Sequence, residues 1–126
     1  MNTQGEIESA IADGMRRFER EYMGRGPQDI RAHLIGDLVV VRLKSVLTSA
    51  EVHLAKSLPA GKGRDLLKKM RSELLEAGRP DLDRMVEEIT GIRVVSLHHD
   101  ISTLTGEKIV VFTLADSPKF RKKKRG

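Results

Sequence analysis

Apolar positions along the chain follow two different periods, and the change between them divides it into elements. Ile7, Ile11, Met15, Phe18 and Tyr22 recur at spacings of four and three, the stripe of an amphipathic helix. Thr3-Gln4-Gly5-Glu6 before them matches a capping box, so the first helix is expected over about Glu6 to Met23. Gly24-Arg25-Gly26-Pro27 ends it. Alternation then replaces the helical period: β-branched residues and leucines gather on either side of Gly36-Asp37, a hairpin signal. Strands are expected over Ile30 to Ile35 and Leu38 to Lys44, with Val39, Val41 and Leu43 on one face of the second.

A helical middle follows. Thr48-Ser49-Ala50-Glu51 is a second capping box, and Val52, Leu54, Ala55 and Leu58 make a short helix ending at Pro59. Gly61-Lys62-Gly63 opens a further helix with Leu66, Leu67, Met70, Leu74 and Leu75 on its apolar side. Gly78-Arg79-Pro80 is expected to interrupt it, since proline is best tolerated in a first helical turn. Leu82, Met85, Val86 and Ile89 then form another helix, closed by Gly91. A second hairpin has strands over Ile92 to Ile101 and Lys108 to Leu114 and a loop at Thr103 to Gly106.

The order α-ββ-ααα-ββ lacks strict βα alternation. It predicts an α+β fold: an antiparallel sheet of two β-hairpins with helices packed mainly on one face. The second face, or an edge, is then free for pairing, and a homodimer is expected.

At 126 residues the chain fits one domain, placed at residues 1–115. The absence of cysteine excludes disulfides, thiolate metal sites and cysteine nucleophiles, and fits a reducing, cytoplasmic compartment. No stretch approaches the ~20 apolar residues that cross a bilayer, and the N-terminus lacks a secretory signal pattern, so a soluble chain is expected. Phe18, Tyr22, Phe112 and Phe120 are the only aromatic residues, too few for base-stacking platforms. The net charge of +5 comes wholly from residues 116–126, where Lys119, Arg121, Lys122, Lys123, Lys124 and Arg125 face one aspartate. Such a block of like charge is expected to be disordered alone. It suits anionic lipid or a polyanion without reading nucleic-acid sequence, and a purely solubilising tail explains it equally well.

Candidate chemistry is sparse. Two of the four histidines are adjacent in Ser96-Leu97-His98-His99-Asp100. Strand alternation puts His98 and Asp100 on one face and His99 with Val95, Leu97 and Ile101 on the other, so the histidines diverge. A divalent metal would need His98 and Asp100 plus a third ligand such as His33 or His53. The plainer reading is a polar strand edge with Asp100 and Thr103 bonding the hairpin end. Lys62 and Arg64 at a helix start resemble an anion cradle, although a Walker-type loop would need a longer spacing and a Lys-Ser or Lys-Thr pair. Asp81, Asp83, Glu87 and Glu88 lie among arginines and read as a solvated face. Ser96, Thr103 and Thr105 near His98 come without an oxyanion-hole motif. No catalytic residue, resident metal or cofactor is expected.

IRAHLIGDLVVVRLKSVLTSAE, GRDLLKKMRSELLE and above all VVSLHHDISTLTGEKIVVFTL resemble the MpsC-like family, associated with membrane-potential generation and bicarbonate or cation uptake in bacteria. The resemblance spans about Glu6 to Leu114. It implies a small soluble cytoplasmic component acting beside an integral-membrane ion or inorganic-carbon transporter subunit, and the expected role is that of a non-enzymatic accessory or regulatory protein, peripheral at the inner face of the membrane. It carries over no site residue. Beside that reading stands a small-anion or metal sensor using His98, His99, Asp100 and the Lys62–Arg64 turn.

Overall fold

A computed structural model describes residues 2–57 and 59–121. Leu58 of the short apolar helix, and Lys122, Lys123, Lys124 and Arg125 of the basic tail, lie outside the described residues.

Helix α1 spans Gln4–Met23 and begins as its sequence dictates: the Thr3 hydroxyl accepts from the Glu6 amide at 3.2 Å, and the Glu6 carboxylate accepts from the Thr3 amide at 3.0 Å. Gly24 ends it in the left-handed conformation, φ 81°. Strands β1 (Asp29–Ile35) and β2 (Leu38–Lys44) pair antiparallel around Gly36-Asp37, where Gly36 supplies the positive φ of the turn. Helix α2 (Ser49–Ser57), a 3-10 turn (Pro59–Gly61) and helix α3 (Lys62–Thr90) follow. Strands β3 (Val94–Ile101) and β4 (Lys108–Leu114) complete one four-stranded antiparallel sheet in the order β1-β2-β4-β3. The α+β class, the two hairpins and the three helical segments between them are as expected.

Two details differ. Gly78-Arg79-Pro80 does not break the helix: α3 runs through it for 29 residues. Leu75 before it and Leu82 and Val86 after it belong to one buried stripe, so burial on both sides carries the helix past the proline. Pro80 itself is exposed, where a carbonyl left without its N–H partner can be hydrated. Gly78 is buried against α1, and a Cβ there would lie 2.5 Å from the Phe18 ring, so this glycine permits a close helix crossing. The chain breaks earlier, at Pro59–Gly61, where Ala60 and Gly61 adopt positive φ. The second difference is an irregularity in β3 between Val94 and Ser96, which leaves Val95 45% exposed instead of inward with Leu97 and Ile101.

The core lies between one sheet face and the helices. Alternate residues of the central strands, Val39, Val41 and Leu43 of β2 and Val110, Phe112 and Leu114 of β4, meet Ile11 and Met15 of α1 and Leu67, Leu75 and Leu82 of α3. Helix α1 also satisfies the outer edge of β1, because Glu8 accepts from the Leu34 amide at 2.8 Å and Gln4 donates to the Leu34 carbonyl. Beyond β4 the chain returns to the start of α1, with Pro118 buried and the Arg121 amide donating to the Asn2 carbonyl at 2.8 Å. Ordered contacts thus continue past Ala115 into the first part of the basic segment.

Candidate functional site

Three charged residues occupy positions in this core that pattern alone assigns to hydrophobes. Glu19 continues the Ile11–Met15 stripe of α1, Arg71 lies between Leu67 and Leu75 on α3, and Lys108 starts the inward row of β4. All three are buried, Glu19 completely. Lys108 donates to Glu19 at 3.1 Å. Arg71 forms a fork with Glu51, 2.7 Å from Nε and 2.8 Å from Nη2, and Nη2 also donates to the Val46 carbonyl at 3.0 Å. Glu51 has a second task, since its carboxylate accepts from the Thr48 amide in the expected capping box of α2. One acidic side chain therefore starts α2 and neutralises a guanidinium in the core.

Burial pushes the Lys108 ammonium below the ordinary lysine value, and attraction to Glu19 offsets this only in part. For Glu51 burial acts upward, but the Arg71 and Thr48 hydrogen bonds outweigh it and hold the carboxyl below its ordinary value. Glu19 Oε1 and Arg71 Nη1 have no partner among the described residues.

His99 faces this cluster and His98 the opposite, exposed side of β3, so the adjacent histidines diverge as alternation requires, while Asp100, exposed and in step with His98, has its carboxylate tied to Lys68 of α3. His99 and Asp100 line a cavity of about 20 Å³ together with Lys68, Arg71 and Lys108, room for about one water-sized occupant. Burial, reinforced by the Lys108 charge, lowers the His99 imidazole below the usual histidine value. Asp100 accepts from Lys68 at 3.1 Å and from the Ile101 amide at 2.8 Å; the amide bond first, then Lys68, keeps its carboxyl low.

Lys62 and Arg64 do not line this cavity; Arg64 pairs with its neighbour Asp65 at 3.2 Å. His98 faces away from it. Of the acidic residues of α3 that the sequence singles out, Asp83 pairs with Arg79, Asp81 with Arg84, and Glu87 accepts from the Val94 amide at 2.8 Å, fixing the entry to β3. Among the described residues no group of three or more His, Asp or Glu side chains is placed to hold a metal ion. Of the basic tail, Arg121 pairs with Glu6 at 3.5 Å and Lys119 is exposed. Glu19, Arg71 and Lys108 escaped the sequence reading, although a charge inside an apolar period marks each of them.

The far side of the sheet forms the other distinctive surface, and no described element packs on it. Its cross-strand rows run His33–Val40–Val111–His98, and beside that Arg31–Arg42–Ile109–Asp100. Arg42 is tied to Glu107 at 2.7 Å.

The family model described as "Na+-translocating membrane potential-generating system (MpsC)" matches residues 3–116, from the α1 cap through the last strand. The chain belongs to the MpsC family. A relative within reach of that assignment is "Uncharacterized protein YbcI" of Bacillus subtilis (strain 168), 37% identical over 114 residues that make up 90% of each chain. No solved structure matches. The MpsC match covers both the buried cluster and the open sheet face, and it ends before the tail cations Lys119 to Arg125.

Proposed function

We propose that this MpsC-family chain is a non-catalytic accessory component of a Na+-translocating, membrane-potential-generating system. It acts at the cytoplasmic face by docking on an integral-membrane subunit that moves cations or inorganic carbon. The carrying observation is the family match over all eight elements of the fold. Two features support it. No helix among the described residues is long and apolar enough to cross a membrane, so ion passage falls to a partner. The groups that looked most like acid–base machinery are used up in caps, ion pairs and strand entry, while α3 exposes Leu66 and Met70 one turn apart as an apolar contact for that partner.

The test is native co-purification from gently solubilised cells, using the full chain and a variant ending at Arg121, which keeps the Arg121–Glu6 contact and removes the last cations. Recovery of a membrane transport subunit with both forms supports docking by the folded domain. Recovery with the full chain alone assigns attachment to the tail, and the same pair compared on anionic vesicles at low salt then reports its lipid affinity. If neither form retains a membrane protein, the accessory role is wrong.

A second reading, sensing of a small anion, is favoured by one observation: the buried Arg71 Nη1 lacks a partner and Arg71 lines the cavity beside His99. Thermal unfolding in chloride, phosphate and bicarbonate checks it. Unfolding temperatures that do not differ between these anions at constant ionic strength exclude it.

A further inference from the structure

We propose that the open face of the sheet is closed by a second copy of this chain, around a two-fold axis that runs parallel to the strands. The argument rests on the order of residues across that face. Its cations gather on one half, Arg31 on β1 with Arg42 and Lys44 on β2, while Asp100 stands on β3 at the opposite end of the Arg31 row. Between the cations and Asp100 lies a small apolar patch on the central strands, Val40 beside Val111 with Ile109 next to it on β4. An apolar patch flanked by charges of opposite sign fits a protein interface whose two halves complement each other.

Rotation by half a turn about a strand-parallel axis reverses the strand order while keeping the rows aligned. β1 of one copy then lies over β3 of the other. Arg31 meets the partner subunit's Asp100, Val40 meets the partner subunit's Val111, and His33 meets the partner subunit's His98. Every contact occurs twice, as an isologous interface requires. A two-fold axis across the strands instead places β1 on β1 and leaves Arg31 and Asp100 without opposite charges. The strand-parallel arrangement also matches the aligned packing of twisted sheets, with faces ~10 Å apart.

The pairing available to Asp100 and Arg31 is consistent with this. Asp100 uses the same oxygen, Oδ1, for Lys68 and the Ile101 amide, and Arg31 has only a loose contact of 3.9 Å with Asp29. The alternative of strand addition at β1 is obstructed, because Glu8 and Gln4 already bond Leu34 on that edge. Within one chain His33 and His98 sit on the two outer strands, three strand spacings or ~14 Å apart, and cannot share a contact. The second copy brings them together.

The size of the face places it among small, transient interfaces. Four strands of about seven residues project to roughly 19 by 23 Å, or about 900 Å² counted over two copies, close to the ~1,000 Å² floor for specific interfaces. Association is therefore weak and concentration-dependent.

Sedimentation velocity on the full chain from about 5 to 500 µM, a range suited to a weak, transient interface, tests the proposal. A monomer–dimer equilibrium is expected, weakened roughly tenfold or more by Val40→Lys and by either Arg31→Asp or Asp100→Arg. The double variant Arg31→Asp/Asp100→Arg restores the pair in reversed sense and recovers association, an outcome that misfolding of a single variant cannot imitate. A chain that stays monomeric throughout overturns the proposal, as does a dimer indifferent to Val40→Lys or a double variant no better than the singles. A monomer whose Val40→Lys form loses a co-purifying membrane subunit assigns this face to that subunit and also overturns it. The accessory role stands or falls separately, on recovery of that subunit by the unaltered chain.

Discussion

Replacing Lys108 by methionine isolates the least expected feature of this fold. Lys108 and Glu19 are 3.1 Å apart, with side chains 3% and 0% exposed. Lys108→Met retains length and apolar packing but leaves the Glu19 carboxylate buried without its cation, with Oε1 already lacking a partner. Removing one member of a buried pair costs about 3–5 kcal/mol. For a chain of this length each kcal/mol moves the unfolding midpoint by roughly 3–5 °C, so the variant is expected to melt roughly 10–20 °C lower. Glu19→Leu costs less, because the lysine left behind can shed its proton, toward which burial already drives it. The sign follows from linkage: with its folded value depressed, Lys108 binds fewer protons in the folded chain than in the unfolded one. Stability of Glu19→Leu therefore rises as pH is raised toward the ordinary lysine value of 10.5. The double variant Lys108→Met/Glu19→Leu lies within ~1 kcal/mol of the original chain or above it. Urea and thermal unfolding followed by circular dichroism measure all four proteins. If Lys108→Met melts within about 2 °C of the parent, the picture of an ionised buried pair is refuted.

Gly78→Ala drives a methyl group to 2.5 Å from the Phe18 ring and is expected to cost about 1–3 kcal/mol despite the better helix propensity of alanine; Phe18→Leu in the same chain recovers part of the loss in a thermal melt. Pro80→Ala, at an exposed position of the same helix, gains about 1–3 kcal/mol by restoring a backbone hydrogen bond, and unchanged urea stability contradicts this. The Glu51 carboxyl, held low against its burial by Arg71 and Thr48, contributes stability that is complete above its ordinary value of 4.5 and is lost as pH falls through its lower folded value. Glu51→Gln is accordingly less stable by about 2–3 kcal/mol at pH 7, a gap that closes with acidification in a pH series of urea titrations.

Sequence reading recovered what local chemistry determines. Both capping boxes, the Gly36-Asp37 turn and the inward face of β2 follow from residues close together in the chain, and all are present. The errors arose where distant contacts decide. Gly78 and Pro80 carry a break signal, but the fit of Gly78 against Phe18 and Tyr22, about sixty residues away, turns the glycine into a packing device. At Val95 the alternation rule failed because a register irregularity inserts one residue, which period-two counting cannot detect. The cluster of Glu19, Arg71 and Lys108 was open to detection, since each interrupts an apolar period at an inward position. Partner choice among them was not, because Lys108 and Glu19 are 89 residues apart. The histidines were read correctly as divergent, yet what each faces, the cluster for His99 and the bare sheet face for His98, depends on the sheet order β1-β2-β4-β3.

Helix α2 contributes no fully buried side chain, and its first turn is anchored through Glu51 to Arg71. Local opening is easiest where little apolar surface must be exposed, so the amides of α2 are expected to exchange with solvent ahead of those in α1, as hydrogen exchange would show. Such an excursion has an electrical consequence. Opening of α2 would part Glu51 from Arg71 and leave the guanidinium with the Val46 carbonyl and solvent in place of its counter-ion. The Glu51–Arg71 pair thus opposes release of α2 together with the packing of Val52, Leu54 and Ala55 against the core.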